Sequence, residues 1–445
     1  MKETVNSKEF LDRITSVVPT KKQLDFQKLE YYNFIHFGLN TFTKKEWGSG
    51  KVSPDCFGLT DLDTDQWVSG LKKTGSKGII ITAKHHDGFC LFPSKFTDYT
   101  IASTKYRNGK GDIIRQLSDS CKKYDMKLGI YLSPWDRHEP TYGTDKYNDF
   151  FVSQLTELCT NYGEIFCFWF DGTCGEGKNG KKQVYDWQRY FDTIHSLQPN
   201  AVIANCGPDV RWIGNEQGKC RSSEFSVVPK QLQDHIYIAS LSQQEDDARA
   251  MTKMDFTDSV LGDREKLLDC ELCWYPAEMD VSVTRIGWFW RKSFELFQLR
   301  SAKELADCYY SSVGNNGMLL LNVPPNDKGE IPERYINRIL KAKELVEKRF
   351  RNKTEITSRQ QSGNIITLTF PESDVRTVVL SEDITKSQRV EKFSLTVGGK
   401  TVYSGNTIGY KKICILEKTI KSCSEMKLVI EKCRNEPYIE KFELY

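Results

Sequence analysis

Ile165-Phe-Cys-Phe-Trp-Phe-Asp-Gly172 is the stretch on which the reading of the fold turns. Six apolar residues, four of them aromatic, run without a break and end in a carboxylate with a glycine behind it. A continuous apolar run of this length suits a strand buried on both faces, which is how parallel sheets read. Asp171 then falls where the strand leaves the core, and Gly172 gives the chain freedom to turn. In a barrel of parallel strands, catalytic residues gather at the carboxyl ends. Asp-Gly is also a common turn, so these eight residues do not by themselves separate a site from a bend.

Working outward, comparable strands are predicted within Tyr31–Leu39, ending near His36, and at Gly78–Lys84, Leu128–Ser133, Ala201–Cys206 and Met318–Val323. Helical segments alternate with them: Asp65–Thr74, a stretch capped by Asp112, Lys146–Tyr162 and Trp187–Leu197. In the third of these, Tyr147, Phe151, Leu155, Leu158 and Tyr162 form one stripe. Strand and helix alternating at this spacing indicate a (β/α)8-like TIM barrel, an α/β fold. The charged side chains cluster after the strands, as they would on the face that carries a site. Gly207–Arg291 is less regular, with loops holding Arg211–Glu216 and Cys273–Glu278. Ser301-Ala-Lys-Glu304 is a capping box, and Ile331–Phe350 reads as a charged amphipathic helix. From Asn352 onward only short strands and turns remain, which suggests a C-terminal antiparallel β-sandwich. The expected domains are a catalytic barrel over 1–350 and a β-sandwich over 351–445.

Composition narrows the function classes. The 445 residues include 63 basic and 60 acidic ones, a net charge of +3, which gives no general attraction to nucleic acid or to an anionic membrane. No run approaches the roughly 18 apolar residues that span a bilayer. Met1–Thr20 has charges throughout and lacks the apolar core of a secretion signal, so a cytoplasmic protein is expected. A secreted or periplasmic protein already trimmed of its leader would read the same. The 14 cysteines are scattered, and several (Cys90, Cys159, Cys167, Cys308) lie in apolar surroundings typical of buried free thiols. Cys270 and Cys273 form a lone CxxC without the second pair a zinc ribbon needs.

Three of the six histidines, His36, His85 and His86, fall at predicted strand ends. Three histidines can hold zinc, but neighbours on a strand point to opposite faces, so His85 and His86 reach one ion only if the strand bends. The alternative is hydrogen bonding to a polar ligand. Five carboxylates also follow strands: Asp87, Asp136, Asp171, Glu216 and Glu278. A pair of carboxylates flanking one bond is what glycoside hydrolysis requires. Trp47, Trp135, Trp169, Trp274, Trp288 and Trp290 could stack on a sugar ring, although singly each is as well placed in a core. Attachment to a buried strand favours Asp171. It does not choose between Glu216 and Glu278.

Several motifs occur together in order: Phe34-Ile-His-Phe-Gly38, Glu46-Trp47, Thr82-Ala-Lys-His-His-Asp-Gly-Phe89, Ser133-Pro-Trp135, Trp169-Phe-Asp-Gly172 and Gly317-Met-Leu-Leu-Leu-Asn-Val-Pro-Pro325. In this the chain resembles the retaining α-L-fucosidases of glycoside hydrolase family 29. The likeness continues through Val378–Asp383, Gln388–Val390 and Thr407–Tyr410. It implies Asp171 as nucleophile and a fucose pocket lined by His36, His85, His86 and Trp47. Glu46 and Trp135, from matching motifs, and Trp290, from the aromatic set, complete the expected substrate contacts. Trp212-Ile-Gly-Asn-Glu-Gln-Gly218 looks like the segment carrying the proton donor in the subgroup acting on α-1,3/1,4-linked fucose of Lewis-type structures, which implies Glu216 as acid/base. Tyr275-Pro-Ala277 before Glu278 departs from the pattern. The implied partner is a fucosylated oligosaccharide or glycoconjugate, with no cofactor and no metal. Two competing readings are a metal-dependent hydrolase built on His36, His85 and His86, and a fucose-binding protein without turnover.

Overall fold

The strand that opened the reading is Ile165–Phe170, and every residue in it is buried. It belongs to an eight-stranded sheet seen in a computed structural model that describes residues 4–218, 220–222, 224–234 and 262–445. The strands in chain order are β1 (Tyr31–Ile35), β2 (Gly78–Lys84), β3 (Lys127–Leu132), β4 (Ile165–Phe170), β5 (Val202–Asn205), β6 (Arg211–Trp212), β7 (Ala277–Ser282) and β8 (Met318–Asn322). They pair in the order β5-β4-β3-β2-β1-β8-β7-β6, and every pairing is parallel. A parallel bridge from Ala204 to Val210 brings the two ends together, so the sheet is nearly closed into a TIM-like barrel.

Alternation along the strands separates two cores. Tyr32, Phe34, Ile80, Tyr131, Cys167, Trp169, Val202, Ala204 and Leu320 pack together inside the ring. Their neighbours Ile79, Ile81, Phe168, Phe170, Ile203, Met279 and Leu321 point outward and pack with helical residues such as Trp67, Leu117, Phe151 and Tyr190. This is why β4 reads as an unbroken apolar run: both of its faces are covered. The intervening helices follow their caps. Asp112 accepts from the Arg115 amide, and Ser301 with Glu304 closes a full capping box.

Two barrel strands lie in the region that reads as irregular. β6 has only two residues, too short for any period to register. β7 alternates Glu278, Asp280 and Ser282 with Met279 and Val281, a pattern that suggests one solvated face. All six of its residues are nonetheless buried, because the polar side chains point into the barrel rather than into water.

The C-terminal region is antiparallel, as expected. Where the sequence suggested only short strands, two long ones form, Ile365–Glu382 and Lys412–Cys433. Register shifts between Thr369 and Thr377 bend the pair, so that one hydrogen-bonded sheet wraps around its own core in the manner of a sandwich. Ser358–Ser362 and Lys400–Gly405 are additional edge strands, largely exposed and therefore without an apolar signal. This sheet docks on the barrel through backbone bonds between Ile413 and Gly314 (2.8 Å) and between Asn316 and Lys411 (2.9 Å). Among the described residues no helix is long and apolar enough to cross a membrane. All 14 cysteines are free thiols.

Candidate active site

An open cavity of about 460 Å³ lies over the carboxyl ends of the strands. β1 supplies Phe34 and, just past its end, His36; β2 leads into His85 and His86; β3 supplies Tyr131. β4 contributes Trp169, Asp171 and Thr173, and β7 contributes Asp280. Loops add Glu46, Trp47, Glu216, Trp288, Arg291 and Phe294. The cavity thus gathers every proposed site residue except Trp135 and Trp290.

Asp171 stands immediately after β4, with about a fifth of its side chain exposed. Tyr131 donates its hydroxyl to Oδ2 at 2.9 Å, and the Thr173 amide donates to Oδ1 at 2.7 Å. The turn here rests on that side-chain bond rather than on Gly172, which does not have a positive φ. Tyr131 in turn stacks on Trp169 and His85, with ring centroids 5.5 and 5.6 Å apart, so the group that aims Asp171 is itself clamped.

His85 and His86 both face the cavity because β2 ends at Lys84, where its register with β3 slips. Gly88 makes the tight return possible: its φ is +82°, and a Cβ there would lie 2.4 Å from Asp136 Oδ1. Below them, Lys84 and Asp136 form a buried ion pair at 2.9 Å that ties β2 to the loop after β3. Asp87 is buried nearby, pushed up to about 7 mainly by burial, and neither it nor Asp136 lines the cavity.

The hydrogen bonds also fix which ring nitrogen carries the proton in His36 and in His86. Asn322 donates from its amide to Ser282 Oγ and the Trp288 carbonyl, so its oxygen must accept from His36 Nδ1 at 2.9 Å. Ser133 donates to the Trp135 carbonyl and therefore accepts from His86 Nδ1 at 2.7 Å. Nε2 is then the acceptor nitrogen in each neutral ring. His86 Nε2 lies 3.7 Å from Asp171 Oδ2. Burial lowers all three histidines, His36 to about 4, which keeps them neutral near pH 7. Among the described residues no group of three or more His, Cys, Asp or Glu side chains is placed to hold a metal ion.

Trp288 joins the loops. Its amide donates to Glu46, its carbonyl accepts from Asn322, and its side chain donates to Glu216. Glu46 also lies 3.5 Å from Arg291; burial raises its affinity for a proton, and the amides and Arg291 oppose the rise. Trp47 is 40% exposed, hanging over the mouth with an edge toward His86. Trp135 is buried behind it, 5.1 Å from His86 and 5.8 Å from Trp47, and so stiffens the wall instead of forming it. Trp290 is buried with Nε1 bonded to Glu295 and Lys44 over its ring, away from the cavity.

The two glutamates that spacing could not separate occupy different places. Glu216 sits on the loop after β6, between Gly214 and Gly218, both with positive φ, and its side chain reaches the cavity mouth. Crowding by protein pushes its pKa up to about 7, helped by the charges of Asp171 and Glu46. Solvent still reaches this carboxyl from the mouth, and a sugar seated there would remove that screening. Glu278 is sealed beneath the floor, accepting from the Tyr32 hydroxyl and from Trp169 Nε1 at 2.7 Å.

Sequence reasoning missed Asp280, Tyr131, Arg291 and Phe294 as cavity residues. Asp280 accepts from Trp212 Nε1 at 2.6 Å, and burial, followed by the Glu216 charge, raises its pKa well above the carboxylate range. The period-two alternation Gly129–Tyr131 and Glu278–Asp280–Ser282 was the available signal, since it places these side chains on the inward face.

An apolar and aromatic floor, neutral histidines, one oriented carboxylate and a second whose affinity for a proton is raised suit the cleavage of a bond to a polyhydroxylated ring. The family model described as Alpha-L-fucosidase matches residues 6–348. Alpha-L-fucosidase 1 of Arabidopsis thaliana is 38% identical, over 96% of this chain and 87% of the relative. A glycoside hydrolase 29 family member from an unknown rumen bacterium superposes with a TM-score of 0.81 at 32% identity, covering 96% of this chain and 77% of that one. A Ruminococcus gnavus GH29 fucosidase in complex with fucose gives 0.80 at 28% identity, covering 96% and 95%. The chain belongs to the alpha-L-fucosidase family of glycoside hydrolases.

Proposed function

We propose that this α-L-fucosidase releases 1,3- or 1,4-linked fucose from branched, Lewis-type glycans by double displacement, with Asp171 as nucleophile and Glu216 as acid/base. The observation that carries the reading is that these two carboxylates share one cavity while Glu278 is walled off from it. Cleavage builds positive charge on the sugar ring. Asp171 meets that charge and forms the covalent intermediate, and the Tyr131 and Thr173 donors hold it in the attacking orientation. Glu216 protonates the departing oxygen and then takes a proton from the incoming water, which requires a proton affinity near the working pH. The neutral histidines accept from or donate to ring hydroxyls, and Trp47 covers the apolar side. The fucose held by the Ruminococcus gnavus relative is in keeping with a pocket of this character.

The linkage assignment draws on the Trp212–Gly218 segment. In a branched substrate a galactose packs beside the fucose, and contacts to it supply remote binding energy that raises turnover. Release of fucose from 1,2-, 1,3-, 1,4- and 1,6-linked oligosaccharides tests this: Lewis a and Lewis x trisaccharides should be cleaved far faster than 2′-fucosyllactose. Faster cleavage of the 1,2 linkage would sink the subgroup assignment. In the same reactions, NMR should find α-fucose as the first-formed sugar, whereas β-fucose would refute retention. Activity insensitive to EDTA would remove the metal-dependent alternative.

A further inference from the structure

A second cavity, about 300 Å³, lies beside the first and shares Glu216, Gly287 and Trp288 with it as a common wall. On the reading above, the scissile oxygen sits at that wall, so whatever leaves with it must extend across into the second cavity. Its surface is unlike that of the fucose pocket. The first is floored by aromatic rings and histidines, whereas the second presents Asn215, Gln217, Ser282 and Thr284 together with two arginines. Ile286, half-exposed at its edge, offers one small apolar face.

The two arginines differ. Arg285 is committed: it pairs with both oxygens of Glu304 at 3.0 and 2.7 Å and donates to the Leu299 carbonyl. Among the described residues the Arg300 side chain donates through its Nε alone, to the Ser282 carbonyl at 2.9 Å, while its backbone amide donates to Val283 and its carbonyl accepts from Arg338. It forms no ion pair with a carboxylate among the described residues. Its guanidinium is thus held by one bond in a partly buried position, with a fixed charge and a terminal fork still available. Glu304, outside this cavity, is taken by Arg285, and Glu216, which lines it, is on this reading the group that must carry a proton when the glycan binds.

We infer that this cavity is a leaving-group subsite for an acidic glycan, in which Arg300 receives a carboxylate or sulfate borne by the galactose-position sugar of the glycan that departs with the scissile oxygen. The inference rests on the assignment of the neighbouring cavity as the fucose site. A planar guanidinium fork matches both anions, so the two sources are separated by testing each.

The experiment compares kcat/KM at low salt for the Lewis a trisaccharide, the same trisaccharide sulfated at galactose O3 or O6, and a version with a hexuronic acid replacing the galactose. At least one acidic form should be preferred over the neutral one by about tenfold, as expected for a charge-assisted hydrogen bond. That ratio should fall as salt rises and drop to about one in Arg300→Gln, while Arg300→Lys keeps part of it. Because the readout is a ratio within each protein, a general loss of activity does not mimic the effect. Should Arg300→Gln fail to fold, the salt dependence and Arg300→Lys still decide. No acidic form preferred by the wild-type enzyme, or an unchanged preference in Arg300→Gln, would overturn the subsite. Absence of fucose release from every compound, including a neutral aryl fucoside, would instead overturn the fucosidase reading beneath it.

Discussion

Glu216 and Glu278 are a few residues past neighbouring barrel strands in one case and within a strand in the other, and both are pushed up to about 7. The causes differ. Glu278 is raised by burial alone, against the pull of the Tyr32 and Trp169 donors, and it lies in the packed barrel interior. Glu216 is raised by crowding together with the charges of Asp171 and Glu46, and it rides on a glycine-flanked loop at the mouth. Proton affinity therefore does not single out a catalytic acid. Access separates the two, since Glu216 lines the cavity and Glu278 does not.

The largest effects should follow from losing a carboxylate of the cavity. Asp171→Ala should abolish nearly all turnover, with partial rescue by azide. Glu216→Gln should lower kcat/KM on Lewis trisaccharides by about 10²–10⁴-fold, the usual range for a general acid. Glu278→Gln should stay within about tenfold of wild type on the same substrates, since its amide can still accept from Tyr32 or Trp169. A Glu278→Gln variant more damaged than Glu216→Gln would invert the comparison.

A smaller effect lies in the pH profile. The acid must be protonated, so kcat/KM on a sugar leaving group should fall as pH rises through about 7. An aryl fucoside with a good leaving group needs little protonation in the first step, so its kcat/KM should be less damaged in Glu216→Gln and should lose that alkaline limb. Retention of the limb in the variant would assign it to another group.

The smallest effect is on stability, and it belongs to the interior glutamate. Its folded pKa is raised from 4.5 to about 7, so its contribution is full below 4.5 and is lost as pH rises through 7. The size is about 3 kcal/mol between those limits, from the general value of a pKa shift. His36 acts in the opposite sense: with a folded pKa of about 4, it costs stability as pH falls below 6.5. Denaturant melts at pH 4.5 and 8 should therefore show Glu278→Gln gaining on wild type at the higher pH. Parallel stability curves would place an ionised carboxylate in the barrel core.

Much of this was legible in the chain. β2 and β4 were readable because both faces are apolar, and Asp171 because it interrupts such a run. His36, His85, His86, Glu46, Trp47 and Glu216 reach the cavity from positions that strand ends or motif resemblance had marked. What escaped did so for physical reasons. β6 is too short to carry a period, and β7 hides its polar face inside the barrel, so nothing marked Asp280 as a cavity residue. Trp135 and Trp290 could not be told from Trp47 and Trp288 by residue type, because the four differ only in which neighbours cover them. Trp288, the hub connecting Glu46, Asn322 and Glu216, was one aromatic among six until its hydrogen bonds were seen.

The central claim is that Asp171 is the carboxylate that bonds to the sugar. Incubation with 2-deoxy-2-fluoro-α-L-fucosyl fluoride slows breakdown of the covalent intermediate enough to map it by peptide mass spectrometry. The account predicts a single fluorofucosyl adduct on the peptide containing Asp171, absent from the Asp171→Ala protein. An adduct on Glu216, Glu278 or Asp280, or rapid turnover with no adduct at any carboxylate, would contradict it.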